Sequence, residues 1–294
     1  MFKGVFTALI TPFKDNKLDL SALAGLLERQ IDADVDGIVV GGSTGEGSSL
    51  SEAEYYELIK EAVKYGNRRV AIIAGLTAVS TFDATQKVAQ LCTLGVDGLM
   101  CTTPHYIKPE QEGIFLHYKA INDVSSLPVM IYIHPVRTSC DLSDEVLLKI
   151  ANLENMVAVK DASSDLEKPL RILPQLGSNF YMLTGNDSSV LAYNANGGAG
   201  CVSVIANIFP KLCKKLDRLW HNGRITEALE LQQKLIPLFS AIFAESNPIG
   251  IKYAAAKMNL CNVEMRLPLT LARKGTAQKI NQALPELITM EENV

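Results

Sequence analysis

The sequence predicts a (β/α)8 TIM barrel, an α/β fold, followed by a C-terminal helical extension. About eight short, β-branched apolar runs recur at intervals of roughly 20 to 35 residues, the spacing of repeated βα units. The runs are continuously apolar, as expected for parallel strands that are covered on both faces. The predicted strands are residues 5–9, 37–40, 70–74, 98–102, 129–132, 157–160, 181–184 and 200–204.

The segments between these strands are predicted to be helices. Leucines recur at helical spacing in residues 20–32, and Ser51 with Glu54 forms a capping box that opens a helix through residue 64. The competing fold is a doubly wound open sheet, which usually has about five or six strands and a glycine-rich first turn. The first strand is instead followed by Thr-Pro-Phe at positions 11–13. The barrel is therefore favoured.

The chain of 294 residues is expected to divide into two parts. We expect residues 1–222 to form the barrel with the active site and residues 223–294 to form the C-terminal helical extension. The final barrel helix needs only about a dozen residues after the last strand, and Gly223 and Pro237 are expected to separate the helices that follow.

Composition excludes several classes of function. The net charge is -4, and lysines and arginines are scattered, so we expect no nucleic-acid partner. No apolar run approaches the ~18 residues of a membrane span, and no targeting segment is expected. The six cysteines form no C-x-x-C pair, and the four histidines lack zinc-site spacing. We therefore expect a cytoplasmic protein without a metal or cofactor.

Lys160 is the strongest candidate for a catalytic nucleophile. In a barrel, catalytic side chains come from the C-terminal ends of the strands, and the apolar run 157–159 carries this lysine to such an end. Desolvation lowers the pKa of an amine and exposes the free base, which can attack a ketone to give an imine. The alternative is a lysine whose stem lies at the strand end while its amine reaches solvent.

Hydroxyl groups end the neighbouring strands. Tyr132 closes the strand beside that of Lys160, so the two side chains are expected to face each other, and Ser43, Thr44 and Tyr106 follow other strands. Together they could relay the protons that imine formation and carbon–carbon bond formation require. The alternative for each tyrosine is a structural role with its hydroxyl bonded in the core.

Two further features fit carboxylate ligands. The glycine-rich turn at 41–47 exposes backbone N–H groups, and Arg137 offers a fork of donors near the same end of the barrel. The alternatives are a tight turn without a ligand and a surface arginine. The turn also contains a G-x-S-x-G pattern at 41–45, which is typical of serine hydrolases. That elbow requires a helix that starts at the serine, whereas the capping box places the helix start near Ser51. The only late histidine is His221, which is expected at a helix end far from the site, so a serine hydrolase is disfavoured.

Taken together, the motifs resemble the 4-hydroxy-tetrahydrodipicolinate synthase family, within the superfamily of N-acetylneuraminate lyase. The resemblance runs from Phe2 to the last helices. The matching pieces are Thr-Pro-Phe at 11–13, Gly-Ser-Thr-Gly-Glu at 42–46, Tyr132 with Pro135, Arg137-Thr138, Val159-Lys160, Gly-Asn-Asp at 185–187 and Asn247-Pro248.

The resemblance implies a lyase that holds pyruvate as a Schiff base on Lys160 and condenses it with L-aspartate-4-semialdehyde. This reaction is the first committed step of diaminopimelate and lysine biosynthesis. The implied alternative is another pyruvate-dependent class I aldolase, acting on 2-keto-3-deoxygluconate or N-acetylneuraminate.

The resemblance also implies a role for each site residue. Tyr132 is expected to donate and accept protons, with Ser43 and Tyr106 completing the relay, and Tyr106 is expected to reach the site of a neighbouring subunit in a homotetramer built as a dimer of dimers. The residues expected to bind the substrates are Thr44, Val202, Arg137 and Gly185. The chain departs from the family pattern at Ile133 and His134, which replace the usual Asn-Val pair beside the second-substrate site.

Overall fold

Eight parallel strands hydrogen-bond in a closed ring in the computed structural model, which describes residues 2–294. The predicted barrel is confirmed, and the predicted strand ends differ from the observed ones by at most two residues. The strands are β1 Gly4–Ala8, β2 Gly37–Val40, β3 Ala71–Leu76, β4 Gly98–Thr102, β5 Val129–Ile133, β6 Met156–Asp161, β7 Tyr181–Thr184 and β8 Gly200–Ser203. Two-residue strands at 13–14 and 17–18 form a small separate hairpin.

A helix follows each barrel strand. The first, α1, buries Leu23, Leu26 and Leu27 against the sheet, as its leucine spacing predicts. The capping box of Ser51 and Glu54 is present at the start of α2. The barrel helices are α1 Leu20–Asp32, α2 Glu52–Gly66, α3 Thr81–Leu91, α4 Gln111–Val124, α5 Asp144–Ala151, α6 Lys168–Ile172, α7 Val190–Ala195 and α8 Pro210–His221.

The inside of the barrel is a packed core and not a channel. Inward-facing side chains of successive strands form one buried apolar cluster, which includes Phe6, Met100, Met130, Leu183 and Val202. Layers of this kind fill the barrel interior and leave the C-terminal ends of the strands as the place for a ligand. The open end of the barrel is therefore where the strand-end side chains meet.

Three more helices follow the barrel: α9 Ile225–Ile242, α10 Ile249–Lys257 and α11 Lys274–Glu292. Gly223 lies between α8 and α9 with φ +72°, a left-handed conformation that suits glycine. The prediction that Pro237 separates two helices is wrong, because α9 runs through it. Proline removes one helical hydrogen bond, but burial of Leu235, Leu238 and Phe239 around it keeps the helix continuous.

Other features bear on the classes of function considered above. No helix within residues 2–294 combines the length and the apolar character needed to cross a bilayer. The same residues hold no group of three or more His, Cys, Asp or Glu side chains arranged to bind a metal ion. All six cysteines are free thiols.

Candidate active site

Lys160 and Tyr132 meet at the C-terminal end of the barrel. They are paired across the adjacent strands β5 and β6, so both side chains point to the same face of the sheet. Lys160 is 5% exposed and Tyr132 is 4% exposed. The Lys160 amine lies 4.2 Å from the centroid of the Tyr132 ring. The next residue, Asp161, points to the opposite face, where its carboxylate lies 3.8 Å from the amine of Lys168.

Gly185 gives the Lys160 side chain its space. This glycine follows β7, the other neighbour of the lysine strand. A Cβ atom added there would lie 3.0 Å from Cε of Lys160 and 3.0 Å from Cβ of Ala162. Both distances are tighter than ordinary van der Waals contact. The glycine therefore allows the lysine stem to reach the mouth of the barrel.

The turn at 41–47 folds tightly and carries Thr44 into the mouth. Gly41 has φ +73°, and a Cβ atom on Gly47 would collide with the carbonyl oxygen of Gly41. Thr44 is buried, and its Oγ1 accepts a hydrogen bond of 2.8 Å from Nδ2 of Asn247. The serine-hydrolase interpretation fails at this turn, because α2 begins only at Glu52 and not at Ser43.

A buried ion pair connects the same turn to the C-terminal segment. The carboxylate of Glu46 bonds to the amine of Lys252 on α10, and both side chains are fully buried. The second Glu46 oxygen accepts the backbone N–H of Arg266 at 3.1 Å. Burial lowers the pKa of Lys252, while the attraction of Glu46 opposes that shift. The C-terminal helices thereby fix the position of the turn that carries Thr44.

Arg137 lies in a one-turn helix, Pro135–Thr138, directly after β5. Its guanidinium is exposed at the mouth, and Nη2 donates a hydrogen bond of 2.9 Å to the backbone carbonyl of Asn247. Asn247 therefore contacts both Thr44 and Arg137, one through its side chain and one through its backbone. The remaining guanidinium N–H groups can bind an anion.

An open cleft of about 940 Å³ joins most of these side chains. Of the residues predicted for the site, the cleft is lined by Lys160, Tyr132, Thr44, Arg137 and Gly185. Val202 lies beneath it, in the packed interior of the barrel. Ser43 is half-buried and is not part of the lining. Tyr106 is 91% exposed and does not line this cleft within the single chain.

Most residues that line the cleft were not among the predicted site residues, and two of them, Asp187 and Asn247, make hydrogen bonds that shape the site. Asp187 is buried behind the cleft, where Ser203 Oγ and the backbone N–H of Val204 donate to its carboxylate. Burial raises the pKa of this carboxyl group. Asn247 comes from the segment between α9 and α10, so a search confined to strand ends misses it. Its only signal in the sequence was the Asn247-Pro248 pair within the family pattern.

His134 also lines the cleft, beside the Tyr132 ring. The ring centroids are 5.9 Å apart with an interplanar angle of 71°, an edge-to-face arrangement. Burial, and then the positive charges of Arg137 and Lys160, lower the pKa of His134 to about 4. The imidazole is therefore neutral at neutral pH.

Known proteins resemble this chain over nearly its whole length. The sequence model of the dihydrodipicolinate synthetase family matches residues 1–287. A 4-hydroxy-tetrahydrodipicolinate synthase from Rickettsia bellii (strain RML369-C) is 48% identical over 287 residues, which cover 98% of this chain and 98% of that relative.

Two solved structures extend the comparison. The 4-hydroxy-tetrahydrodipicolinate synthase of the methanotroph Methylacidiphilum fumariolicum SolV has a TM-score of 0.96 at 34% identity, covering 100% of this chain and 99% of that chain. The chloride-inhibited dihydrodipicolinate synthase of Acinetobacter baumannii, complexed with pyruvate, has a TM-score of 0.94 at 34% identity, covering 98% of this chain and 99% of that chain. The chain described here belongs to the dihydrodipicolinate synthetase family.

Proposed function

We propose that this enzyme is a lyase that condenses pyruvate with L-aspartate-4-semialdehyde, as a 4-hydroxy-tetrahydrodipicolinate synthase. The observation that carries the proposal is the Lys160 amine, which is buried at the mouth of the barrel, 4.2 Å from the Tyr132 ring centroid, and borders the open cleft. The names of the full-length relatives support this reaction over cleavage of a sugar acid. The reaction begins diaminopimelate and lysine biosynthesis.

The first half of the reaction takes place on the Lys160 amine. Its lone pair attacks the keto carbon of pyruvate, and loss of water leaves an imine between that carbon and the lysine nitrogen. The imine withdraws electrons, so a proton leaves the methyl carbon and an enamine forms. Tyr132, whose side chain lies against the lysine, is the proposed proton donor and acceptor for these steps.

The second half joins the two substrates. The nucleophilic carbon of the enamine attacks the aldehyde carbon of the second substrate, and the aldehyde oxygen gains a proton. The amino group of the semialdehyde then adds to the imine carbon and displaces the lysine nitrogen, which closes the ring and returns Lys160 as the free amine. We assign Thr44 and Gly185 to contacts with pyruvate, together with Val202 from the layer beneath, and Arg137 to the carboxylate of the semialdehyde. Arg137 suits that role because its exposed fork retains free N–H groups at the cleft.

Completion of the proton relay requires a second copy of the chain. Ser43 and Tyr106 are its remaining proposed members, and Tyr106 is 91% exposed with φ +70° on the loop after β4. Its neighbour Ile107 and Phe82 on α3 are also exposed apolar side chains. We therefore propose a homodimer in which each Tyr106 enters the partner's site, paired into a tetramer.

Mixed dimers test the exchange of Tyr106. Lys160→Ala and Tyr106→Phe chains, produced together, form some dimers in which one site has both an intact lysine and a tyrosine from the other subunit. Activity above the sum of the two separate variants supports exchange. Activity equal to that sum contradicts it.

The substrate assignment is tested with a panel of reactions. Purified enzyme is assayed for condensation of pyruvate with L-aspartate-4-semialdehyde, and separately for cleavage of N-acetylneuraminate and of 2-keto-3-deoxygluconate. We expect kcat/KM for the semialdehyde to exceed the other two by at least about a hundredfold. A higher value for either sugar acid would replace the proposed substrate.

The free cysteines and the biosynthetic reaction support a cytoplasmic location.

A further inference from the structure

His134 lines the cleft to which we assign the second substrate. It follows Tyr132 by two residues, so its side chain leaves the chain on the same face and lies above the tyrosine ring. The same cleft is lined by Lys160 and Arg137.

The backbone of His134 is fixed while its ring is left free. Its carbonyl oxygen accepts the backbone N–H of Arg137 at 2.9 Å and that of Thr138 at 3.0 Å, which closes the short helix. Nδ1 of the ring is buried and has no hydrogen-bond partner within residues 2–294. A buried polar atom without a partner costs about 1–3 kcal/mol, so such atoms usually find a water molecule or a ligand.

The charges around the ring are positive. Burial is the main cause of the lowered pKa of the imidazole, and Arg137 and Lys160 are the charged groups that add to it, so the ring remains uncharged at neutral pH. A neutral imidazole carries one N–H donor. It can donate a hydrogen bond to an oxygen atom of an anion, and it adds no positive charge of its own to the mouth of the barrel.

Arg137 leaves part of an anion's hydrogen bonding unfilled. Its Nη2 donates one N–H to the carbonyl oxygen of Asn247, so one of the guanidinium's five N–H donors is used and the others can hold a carboxylate through two hydrogen bonds. A carboxylate held in this way keeps further lone pairs that can accept a hydrogen bond. The imidazole of His134 lines the same cleft as Arg137, and its Nδ1 has no hydrogen-bond partner within residues 2–294.

We propose that His134 is a specificity-determining residue that donates a hydrogen bond to the carboxylate of the aldehyde substrate, beside Arg137. This inference rests on the proposed function and names the part of the substrate that the site recognises. The enzyme is thereby selective for short anionic aldehydes, and binding of pyruvate on Lys160 does not depend on His134.

The test compares His134→Val, which removes the donor, with His134→Asn, which keeps one, and with His221→Gln as a control on an exposed helix end. Loss of one hydrogen bond to a charged group predicts a KM for L-aspartate-4-semialdehyde about tenfold higher in His134→Val. His134→Asn recovers most of the affinity. The KM for pyruvate and the extent of borohydride trapping stay unchanged in both variants.

An uncharged aldehyde gives the second comparison. Propionaldehyde has no carboxylate, so wild type and His134→Val should use it at equal rates. An unchanged KM for the semialdehyde in an active His134→Val enzyme overturns the inference and leaves the proposed function intact. An equal rise in the KM values for the semialdehyde and for propionaldehyde has the same consequence. A wild-type enzyme that does not use the semialdehyde contradicts the proposed function, and this inference with it.

Discussion

The Lys160 amine lies 4.2 Å from the centroid of the Tyr132 ring, and the two residues are paired across adjacent barrel strands. Strand pairing fixes their relative height in the barrel, and the packed layer beneath them prevents either side chain from turning inward. The rigid sheet therefore holds the proposed nucleophile and the proposed proton carrier together before any substrate binds, which is the arrangement that general acid–base catalysis requires.

Removal of the Tyr132 hydroxyl separates its chemical role from its packing role. Tyr132→Phe keeps the aromatic ring against the Lys160 amine, so the fold and the site of imine formation should remain. We expect kcat to fall by about 10²- to 10⁴-fold, the usual contribution of a positioned proton donor and acceptor. Steady-state kinetics measure the loss. Tyr253→Phe, which removes an exposed hydroxyl bonded to Asn281, is the matched control. A kcat for Tyr132→Phe equal to that of the control would contradict the assignment.

A methyl group at position 185 should displace the lysine. In Gly185→Ala the new Cβ would lie 3.0 Å from Cε of Lys160, so the lysine stem or the strand end has to move. Because imine formation depends on the position of the amine, we expect kcat/KM for pyruvate to fall by about tenfold or more. Gly177→Ala is the control, since no atom lies within 4 Å of a Cβ there. Equal activity of the two variants would show that Gly185 leaves room to spare.

The buried ion pair of Glu46 and Lys252 predicts an effect on stability. Lys252→Met leaves the Glu46 carboxylate buried without its cation, and we expect the free energy of unfolding to fall by about 3–5 kcal/mol. Urea unfolding measures the change. Lys234→Met removes one member of an exposed pair with Glu286 and should change stability little. Replacing both Glu46 and Lys252 with apolar residues should recover part of the loss. A loss for Lys252→Met no larger than that of the control would contradict this account.

His117 predicts a pH dependence of stability. This histidine is 2% exposed, and burial lowers its pKa from 6.5 to about 4. Between these values the unfolded chain binds a proton that the folded chain does not, so stability falls as the pH drops from about 6.5 towards 4. The expected loss from His117 is about 2 kcal/mol between about pH 7 and pH 5.

Urea unfolding of wild type and His117→Gln at both pH values measures how much of the pH-dependent loss of stability comes from His117. The glutamine keeps a polar group near Thr81, whose Oγ1 lies 3.0 Å from the histidine Nδ1. The difference in stability between the two pH values should be smaller in the variant by about the amount given above. An identical pH dependence in the two proteins would rule out His117 as its source.

Much of the barrel could be predicted from the sequence because its strands are buried on both faces. A continuously apolar run such as β2 has few alternatives to a central parallel strand, and the observed bounds of β2 are those predicted. Lys160 and Tyr132 could be placed for the same reason, since each ends such a run and adjacent runs form adjacent strands. Gly185 and Thr44 follow strand ends as well, and both line the cleft.

The contribution of the C-terminal segment could not be predicted from local pattern. Asn247 lies between two helices that follow the barrel, and only the three-dimensional packing of α9 and α10 brings it to Thr44, 203 positions away in the sequence. Pro237 was misjudged because the local penalty for proline in a helix is smaller than the apolar burial that surrounds it. The lowered pKa of His134 likewise depends on burial and on the charges of Arg137, three residues away, and of Lys160 on the adjacent strand.

Reductive trapping of the imine tests directly whether Lys160 is the residue that binds pyruvate covalently. The enzyme is incubated with pyruvate and sodium borohydride, digested, and analysed by mass spectrometry, with Lys160→Ala as the control. If Lys160 forms the imine, we expect one added pyruvyl mass on the peptide that contains Lys160 and none in the control. An unmodified Lys160 peptide in an active enzyme, or an adduct on another lysine, would contradict it.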